Sequence, residues 1–285
     1  MGATILDGKA LAATVREEIG EQVKAFAAKY GFAPAVAVVQ VGADPASERY
    51  VRQIGRNFEG AGMGFSAHVR PETASEAEVV KLVSDLSADR DVHGIIIQMP
   101  LPKSISAEKV ISALSPTKDV DGVHPINAGR LLAGAGDYFV PATPAGGMEI
   151  LDRYRVPIQG KRAVVVGRSN IVGKPMALLL LHRHATVTIC HSRTPDLGAV
   201  IREADILAAA VGKARLITGD MIKPGAVVVD FGVNIVDGKP VGDIDFESAA
   251  RVASAITPVP GGTGPMTNVM LLRNTIEAAR RAAKG

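Results

Sequence analysis

The sequence has a single cysteine, no tryptophan, few aromatic residues and no long apolar run. Cys190 has no second cysteine with which to form an internal disulfide, and such a composition is typical of a reducing compartment. Because Cys190 ends a β-branched run, we interpret it as a buried strand thiol. No window approaches the ~20 apolar residues of a membrane span, and we find no signal pattern. We therefore expect a cytoplasmic protein without a membrane partner.

Positive and negative charges are nearly balanced, with 32 basic and 29 acidic side chains and a formal net charge of +3. The small basic excess is not gathered into blocks, so nucleic-acid binding is not indicated. His124 lies near Asp121, but no further ligand follows at metal spacing, so we interpret it as structural and predict no metal site. Apolar residues make up 47% of the 285, which is enough for the cores of one large or two medium domains.

Apolar strand patterns alternate with helical patterns along the chain, which predicts an α/β fold with parallel sheets. The first half of this pattern is a helix at Asp7–Tyr30, a strand at Pro34–Val41, a helix ending at Gly60, a strand at Phe65–Val69, a helix at Ser75–Ala88 and a strand at Gly94–Met99. The second half is a helix at Gly147–Tyr154, a strand ending at Val166, a helix at Met176–Leu181 and strands at Thr186–Cys190, Ile206–Ala210 and Ala226–Asp230. We predict a polar loop at Asp119–Leu131, a rigid loop at Pro258–Thr267 and a final helix at Val269–Ala283.

The most informative stretch begins at Gly167, where a β-branched strand gives way to a helical run. A turn of this kind points free backbone N–H groups and a helix N-terminus at a phosphate. The spacing departs from the usual dinucleotide pattern, since Ser169 stands where the second glycine belongs and Gly173 arrives one residue late. On this stretch alone, an ordinary strand–helix turn is as good an interpretation as nucleotide binding.

The end of the following strand favours NADP as the nucleotide. An NAD site usually has a carboxylate there to hold the ribose hydroxyls, whereas this strand ends in His191, Ser192 and Arg193. A serine and a guanidinium suit the 2′-phosphate of NADP, and Arg168 adds a second guanidinium from the glycine turn. We therefore predict NADP. The predicted cofactor-binding residues are Gly167, Arg168, Ser169, Ile171, Val172, Gly173, Ser192, Arg193, Val211, Gly212 and Val233.

Several long motifs occur in the order found in the bifunctional methylenetetrahydrofolate dehydrogenase/cyclohydrolases, which the chain resembles from Ile5 to its C-terminal helix. They are Tyr50-Val51, Gln98-Met99-Pro100-Leu101-Pro102, Lys118-Asp119-Val120-Asp121-Gly122, the stretch from Val166 to Pro175, and the stretch from Pro258 to Thr267. The resemblance implies two α/β domains with a cleft between them, the second Rossmann-like and binding NADP. It also implies a homodimer and tetrahydrofolate one-carbon derivatives as substrates. We place the folate-binding domain at 1–142 and 268–285 and the NADP domain at 143–267.

The resemblance also assigns roles to individual residues. Asp121 would hydrogen-bond the pterin ring, Tyr50 would stack along the folate, and Gln98 would be the polar partner of a catalytic lysine. The folate side of the cleft would be lined by Pro260, Gly261 and Thr267. From the residues alone, Asp121 could be a turn aspartate before Gly122, and Gln98 could equally be a hydrogen-bonded amide at a strand end.

The chain departs from the family at the general-base lysine, whose position holds Ile54. Isoleucine cannot donate, accept or titrate, and the neighbouring Arg52 and Arg56 keep their protons at any working pH. Oxidation of the methylene bridge needs alignment but no proton transfer, whereas hydrolysis of the methenyl cation needs a positioned acid/base. We therefore expect an NADP-dependent dehydrogenase with weak or absent cyclohydrolase activity, acting before a separate cyclohydrolase.

Three alternatives stay open on the sequence. The enzyme could keep both activities by using another base, or the chain could be a non-catalytic folate or nucleotide sensor. It could also take an altered one-carbon donor, which Ile54, Thr263 and Asn268 would accommodate.

Overall fold

A computed structural model of the protein describes residues 2–284, apart from the side chain of Ala46. The terminal residues 1 and 285, which the predicted folate-binding domain includes, lie outside the described residues. The strands are β1 (Thr4–Ile5), β2 (Ala35–Val41), β3 (Gly64–Arg70), β4 (Gly94–Ile97), β5 (Arg162–Val166), β6 (Thr186–Cys190), β7 (Ile206–Ala209), β8 (Val227–Asp230), β9 (Asn234–Val236), β10 (Lys239–Val241) and β11 (Ala255–Ile256). The helices are α1 (Gly8–Tyr30), α2 (Pro45–Gly60), α3 (Glu76–Ala88), α4 (Ala107–Ser112), α5 (Pro125–Ala133), α6 (Ala142–Arg153), α7 (Gly173–His182), α8 (Leu197–Ile201), α9 (Phe246–Ala249) and α10 (Thr263–Ala282), with a short 3-10 helix at Gly219–Met221.

The chain divides into two compact α/β units. The six-stranded unit contains the N-terminal residues up to Ala13 together with Thr143–Thr267, and the three-stranded unit contains Thr14–Ala142 and the residues from Asn268 onward. The breaks after Ala142 and Thr267 fall where the sequence placed domain boundaries. Strand β1 pairs with β11, so the N-terminal residues, which we predicted to be part of the folate-binding domain, make contacts with the six-stranded unit.

The three-stranded unit is built on a parallel sheet with the order β3-β2-β4. Its central strand β2 is buried from Val36 to Val41, as expected of an apolar run covered on both faces. One of these faces packs on a cluster that includes Val79 and Val83 of α3. A capping box at Ser75 begins α3, in which the serine hydroxyl and Glu78 each bond the other's backbone N–H.

The six-stranded unit is a parallel sheet with the order β1-β11-β8-β7-β5-β6, accompanied by a separate β9–β10 hairpin. Alternate residues of its central strands enter different cores. Val164 and Val166 join one cluster, and Ala163 and Val165 join the other. Because β5 has β6 on one side and β7 on the other, the strand order reverses at β5. Ligands of such sheets bind beyond the C-terminal ends of the strands at this switch point.

The predicted α/β class with parallel sheets is confirmed, and several predicted boundaries are wrong. Helix α5 occupies much of the predicted loop Asp119–Leu131, since Pro125 is well suited to the first turn of a helix. Helix α10 begins at Thr263, inside the predicted rigid loop, because Pro265 falls in its first turn, where no intrahelical N–H is required. Helix α6 begins at Ala142 rather than Gly147. The two-residue strands β1 and β11 and the β9–β10 hairpin carry too little periodicity to be predicted.

Candidate functional site

The glycine turn after β5 leaves no space for a side chain at either of its two glycines. Gly167 has φ of +129°, and a Cβ there would lie 2.1 Å from the carbonyl oxygen of Ala210. A Cβ on Gly173 would lie 2.3 Å from the carbonyl oxygen of Gly167. The late glycine is therefore required because the start of α7 packs directly on the backbone of the turn.

Ser169, in the position of the missing second glycine, closes the turn through its side chain. Its hydroxyl accepts hydrogen bonds from the backbone N–H groups of Val172 at 3.1 Å and Gly173 at 3.2 Å. The following residue, Asn170, accepts a bond from Lys174 Nζ at 2.7 Å. The serine thus fixes the turn that leads into α7, a role that its sequence position had not indicated.

A cavity of about 570 Å³ opens beside this turn. Its lining includes Gly167, Arg168 and Ser169 from the turn, Ser192 from the end of β6, and Val211 from the end of β7. The structure therefore brings these predicted cofactor residues together at the switch point.

Other predicted cofactor residues, including Arg193, Ile171 and Val233, do not line this cavity. Arg193 is exposed, and its backbone N–H donates to His191 Nδ1 at 3.1 Å. Ile171 and Val233 are 51% and 68% exposed. The lining does include Lys213, which the sequence analysis missed. The signal for Lys213 was its place two residues after Val211, at the end of a strand next to β5.

In the three-stranded unit, the structure places Tyr50 and Asp121 within electrostatic reach of each other. Burial, followed by the charge of Asp119, raises the pKa of Asp121 to about 7. Burial, followed by the charge of Asp121, raises the pKa of Tyr50 above its ordinary value. The two groups therefore form a pair in which the tyrosine stays protonated and the carboxyl titrates near neutral pH.

The loop that carries Asp121 is held by Asp119, a fully buried carboxylate whose role the sequence analysis missed. It accepts bonds from the N–H groups of Val123 at 2.9 Å and His124 at 2.8 Å, and from Asn127 Nδ2 at 2.8 Å. His124 Nδ1 in turn accepts the N–H of Ile126 at 3.1 Å and caps α5. Asp119 and the cap fix the polypeptide on the C-terminal side of Asp121.

Gln98 lies at the same sheet edge as Asp121. Ile95 and Asp119 form a parallel bridge, so Gln98 and Asp121 both follow neighbouring extended segments at their C-terminal ends. The backbone N–H of Gln98 donates to Val39 O, and its Nε2 donates to Met99 O, both at 2.8 Å. These bonds hold the side-chain amide at the strand end.

Ile54 lies on α2, four residues after Tyr50 and on the same helix face, and is only 1% exposed. Arg52 and Arg56 are exposed, and Arg52 pairs with Glu48 at 3.4 Å. Neither arginine takes the place of the lysine that the family resemblance predicted at position 54. Gly55 has a packing reason, since a Cβ there would lie 2.9 Å from the ring of Phe65.

The remaining predicted substrate residues, Pro260, Gly261 and Thr267, belong to the six-stranded unit. Gly261 has φ of +104°, and its carbonyl oxygen accepts the N–H of Lys9 at 2.8 Å. The Thr267 hydroxyl donates to Thr143 Oγ1 at 3.2 Å. These bonds fix the loop before α10 within its own unit.

Two residues named for an altered one-carbon donor differ in their surroundings. The hydroxyl of Thr263 donates to the carbonyl of Asp230 at 2.9 Å, so it is engaged in the fold. Asn268 Oδ1 is buried and has no hydrogen-bond partner among the described residues.

Across residues 2–284, no group of three or more His, Cys, Asp or Glu side chains is arranged to hold a metal ion. No helix of this described part of the chain is long and apolar enough to cross a membrane.

Two family models together match most of the chain. The catalytic domain of tetrahydrofolate dehydrogenase/cyclohydrolase matches residues 6–121, and the NAD(P)-binding domain of the same family matches residues 141–283. The chain is 58% identical over 285 residues to the bifunctional protein FolD of Herpetosiphon aurantiacus, which covers 100% of this chain and 99% of that protein. It is 57% identical over 282 residues to the FolD protein of a Roseiflexus species, covering 99% and 98% of the two chains.

Solved structures agree with these sequence relatives. The bifunctional FolD of Campylobacter jejuni superposes with a TM-score of 0.96 at 44% identity, covering 98% of this chain and 99% of that one. The Trypanosoma brucei methylenetetrahydrofolate dehydrogenase-cyclohydrolase, solved with NADP and an inhibitor, has a TM-score of 0.96 at 35% identity over 100% of both chains. The chain therefore belongs to the tetrahydrofolate dehydrogenase/cyclohydrolase family.

Proposed function

We propose that the protein oxidises 5,10-methylenetetrahydrofolate to the 5,10-methenyl form with NADP and has little or no cyclohydrolase activity. The proposed lack of cyclohydrolase activity is based on the side chain at position 54. Ile54 is buried on the same face of α2 as Tyr50 and offers no proton donor or acceptor.

The residues around the glycine turn fit NADP. The cavity beside the turn has room for a nucleotide moiety, and the turn itself leaves no space for a side chain at Gly167 or Gly173. Arg168 and Lys213 contribute two cations to its lining and Ser192 a hydroxyl, which is the donor set that a 2′-phosphate requires. The Trypanosoma brucei relative was solved with NADP. When bound, NADP supplies the acceptor for the hydride that leaves the methylene carbon.

In the dehydrogenase step, the residues of this chain need only to bind and orient the folate substrate. The Asp121 carboxylate can accept two N–H donors from the pterin edge, and Asp119 holds the loop from which it does so. Tyr50 would stack along the folate four residues from Ile54, and the Gln98 amide would orient the reacting part of the ring. No proton is transferred in this step, so the apolar side chain at position 54 leaves it intact.

Hydrolysis of the methenyl cation makes a different demand. A water must lose a proton as it attacks, and a ring nitrogen must later gain one, which calls for a positioned acid/base worth about 10²–10⁴-fold. Tyr50 is a poor base because its pKa is raised, and Arg52 and Arg56 are exposed cations. The cyclohydrolase step is therefore the one that loses its catalyst.

The alternative of a bifunctional enzyme with another base has one observation in its favour. Burial raises the pKa of Asp121 to about 7, the range in which a carboxyl can exchange protons at working pH. We place it second because the same carboxylate would be occupied by the pterin ring. A non-catalytic sensor is less well supported, since the glycine turn, Asp121 and the loop before α10 keep the family motifs.

Two spectroscopic assays on the purified protein test the proposal. Reduction of NADP with methylenetetrahydrofolate should be enzyme-dependent, which would exclude the sensor. Hydrolysis of added methenyltetrahydrofolate should proceed near its uncatalysed rate, since the acid/base is missing. Robust hydrolysis by the wild-type protein would refute our account of position 54 and favour the bifunctional alternative.

We further propose that the enzyme is a homodimer and that a separate cyclohydrolase consumes its methenyl product. In the six-stranded unit, β6 is an edge strand with unpaired backbone groups, and its Ile189 is 43% exposed, as at surfaces that pair with another chain. Light scattering coupled to size-exclusion chromatography should give the mass of two chains, and a monomer at micromolar concentration would contradict this.

A further inference from the structure

Asp243, directly after the β9–β10 hairpin, has an unusual set of hydrogen bonds for a residue that is fully buried. Its Oδ2 accepts the backbone N–H groups of Val211 at 2.6 Å and Gly212 at 3.0 Å. Its Oδ1 accepts the N–H of Lys213 at 2.8 Å and Nδ2 of Asn234 at 3.0 Å. One carboxylate thus binds three consecutive amides of a single loop and a side chain from the neighbouring hairpin.

Three successive amides that converge in this way form a concave anion site. Here the protein fills the site with its own carboxylate, so these amides are not available to a phosphate. The loop at 211–213 therefore cannot bind a phosphate through these three amides. Val211 and Lys213 nevertheless line the cavity beside the glycine turn at 167–173. Asp243 does not line this cavity itself, but it sets the conformation of the loop that forms one of its walls.

Asp243 is itself held rigidly by a second buried carboxylate. Asp230, at the end of β8, accepts the N–H groups of Asp243 at 3.1 Å, Ile244 at 3.0 Å and Gly232 at 2.8 Å. A Cβ on Gly232 would lie 2.4 Å from the Asp243 carboxyl, and a Cβ on Gly242 would lie 1.9 Å from Asp230 Oδ2. The two glycines are thus needed to let the carboxylates approach the backbone, and the network ties the end of β8 to the loop after β7.

We infer that Asp243 is a positioning residue for the cofactor, which holds the 211–213 loop in the conformation that NADP binds. The inference rests on the proposed NADP site and assigns a new role to a residue outside the cavity lining. In a variant whose 211–213 loop adopts this conformation only part of the time, the apparent affinity for NADP is reduced to the same fraction of its full value.

Asp243→Asn is the sharpest perturbation because it preserves shape. Each carboxylate oxygen accepts hydrogen bonds from two donors. In asparagine one of these oxygens becomes an NH₂ group, which cannot accept, so two N–H donors lose their acceptor whichever way the amide is turned. We expect the dissociation constant for NADP to rise by at least about tenfold, the usual effect of losing a charge-assisted hydrogen bond. The kcat at saturating NADP and the KM for the folate substrate should stay close to wild type.

Asp119→Asn in the three-stranded unit is a matched control. Asp119 is also fully buried and binds two backbone amides and an asparagine side chain. This variant should raise the folate KM and leave NADP affinity unchanged. If both variants weakened both ligands equally, the effect would be general destabilisation and the inference would be wrong.

Hydrogen exchange gives a readout that does not depend on catalysis or on the cofactor. In Asp243→Asn, the amides of residues 211–213 should exchange at least about tenfold faster, while those of β5 and β7 keep their protection. Should this variant fail to fold, Asn234→Ala removes one donor from the carboxylate and should raise the NADP dissociation constant by a smaller factor. Wild-type protein that bound no NADP would refute the proposed function, and wild-type NADP affinity in a folded Asp243→Asn variant would overturn the inference.

Discussion

Replacement of Ile54 by lysine is the most direct test of the proposed loss of cyclohydrolase activity. The side chain is 1% exposed and lies on the face of α2 that also carries Tyr50, whose pKa is raised by burial and then by the charge of Asp121. A lysine there would be desolvated, which lowers its pKa by up to about 3–5 units, and each unit corresponds to about 1.4 kcal/mol. The negative charge of Asp121 would offset part of this. We expect the variant to lose about 2–4 kcal/mol of stability near neutral pH.

The stability loss should depend on pH in a defined direction. The lysine pKa would be lower in the folded than in the unfolded protein, so its penalty is largest below the folded pKa and disappears above the unfolded pKa of about 10.4. The difference in Tm between Ile54→Lys and wild type should therefore shrink as the pH rises from 7 toward 10. A constant difference would mean that the lysine escapes to solvent.

A lysine with a lowered pKa would also supply the acid/base that, in our proposal, hydrolysis of the methenyl cation lacks. Ile54→Lys should raise the rate of methenyltetrahydrofolate hydrolysis, with about 10²-fold as the lower end of what a positioned general base contributes. Ile54→Met is the matched control, since methionine has similar reach and no titratable group. If both variants hydrolyse equally, or if a folded Ile54→Lys stays inactive, the absence of a base at position 54 is not what limits the cyclohydrolase.

Four further substitutions follow from the geometry. Asp121 has a pKa raised to about 7, so the folate KM should fall as the pH rises through 7, and Asp121→Asn should abolish this dependence. The raised pKa also means that wild type loses stability as the pH rises from about 4 to 7, so the same variant should gain in relative Tm over that range. Arg168→Ala should weaken NADP by about tenfold and leave NAD unaffected, as measured by the two dissociation constants. Gly173→Ala should abolish NADP binding, because its Cβ would lie 2.3 Å from Gly167 O, and retained binding would refute the tight turn. Gly55→Ala should lower Tm, although alanine is better in helices by about 1 kcal/mol, because its Cβ would meet the Phe65 ring.

The parts of the fold that rest on local pattern were predictable. Buried runs such as Ala35–Val41 and Arg162–Val166 show as apolar stretches because both faces of each strand are covered. Helix α5 and the start of α10 were missed, since their first turns depend on a capping histidine and on proline positions rather than on apolar periodicity.

Some residues of the candidate site could likewise be recognised from the sequence, and others were found only in the structure. The glycine turn, the strand end with Ser192, and Ile54 could be recognised from sequence because each is a short motif with fixed spacing. Asp243 and Lys213 were not found, because Asp243 acts on a loop about 30 residues earlier in the chain and Lys213 lies in a cavity assembled from three separate segments.

The sequence by itself determined the α/β class, the family and the identity of the side chain at position 54, because these reside in local periodicity and contiguous motifs. Tertiary structure alone decided that Ile54 is buried on the face of Tyr50, that Asp121 titrates near neutral pH, and that Asp243 holds the 211–213 loop. These properties depend on burial and on contacts between residues far apart in the chain, and only the folded structure brings such residues together.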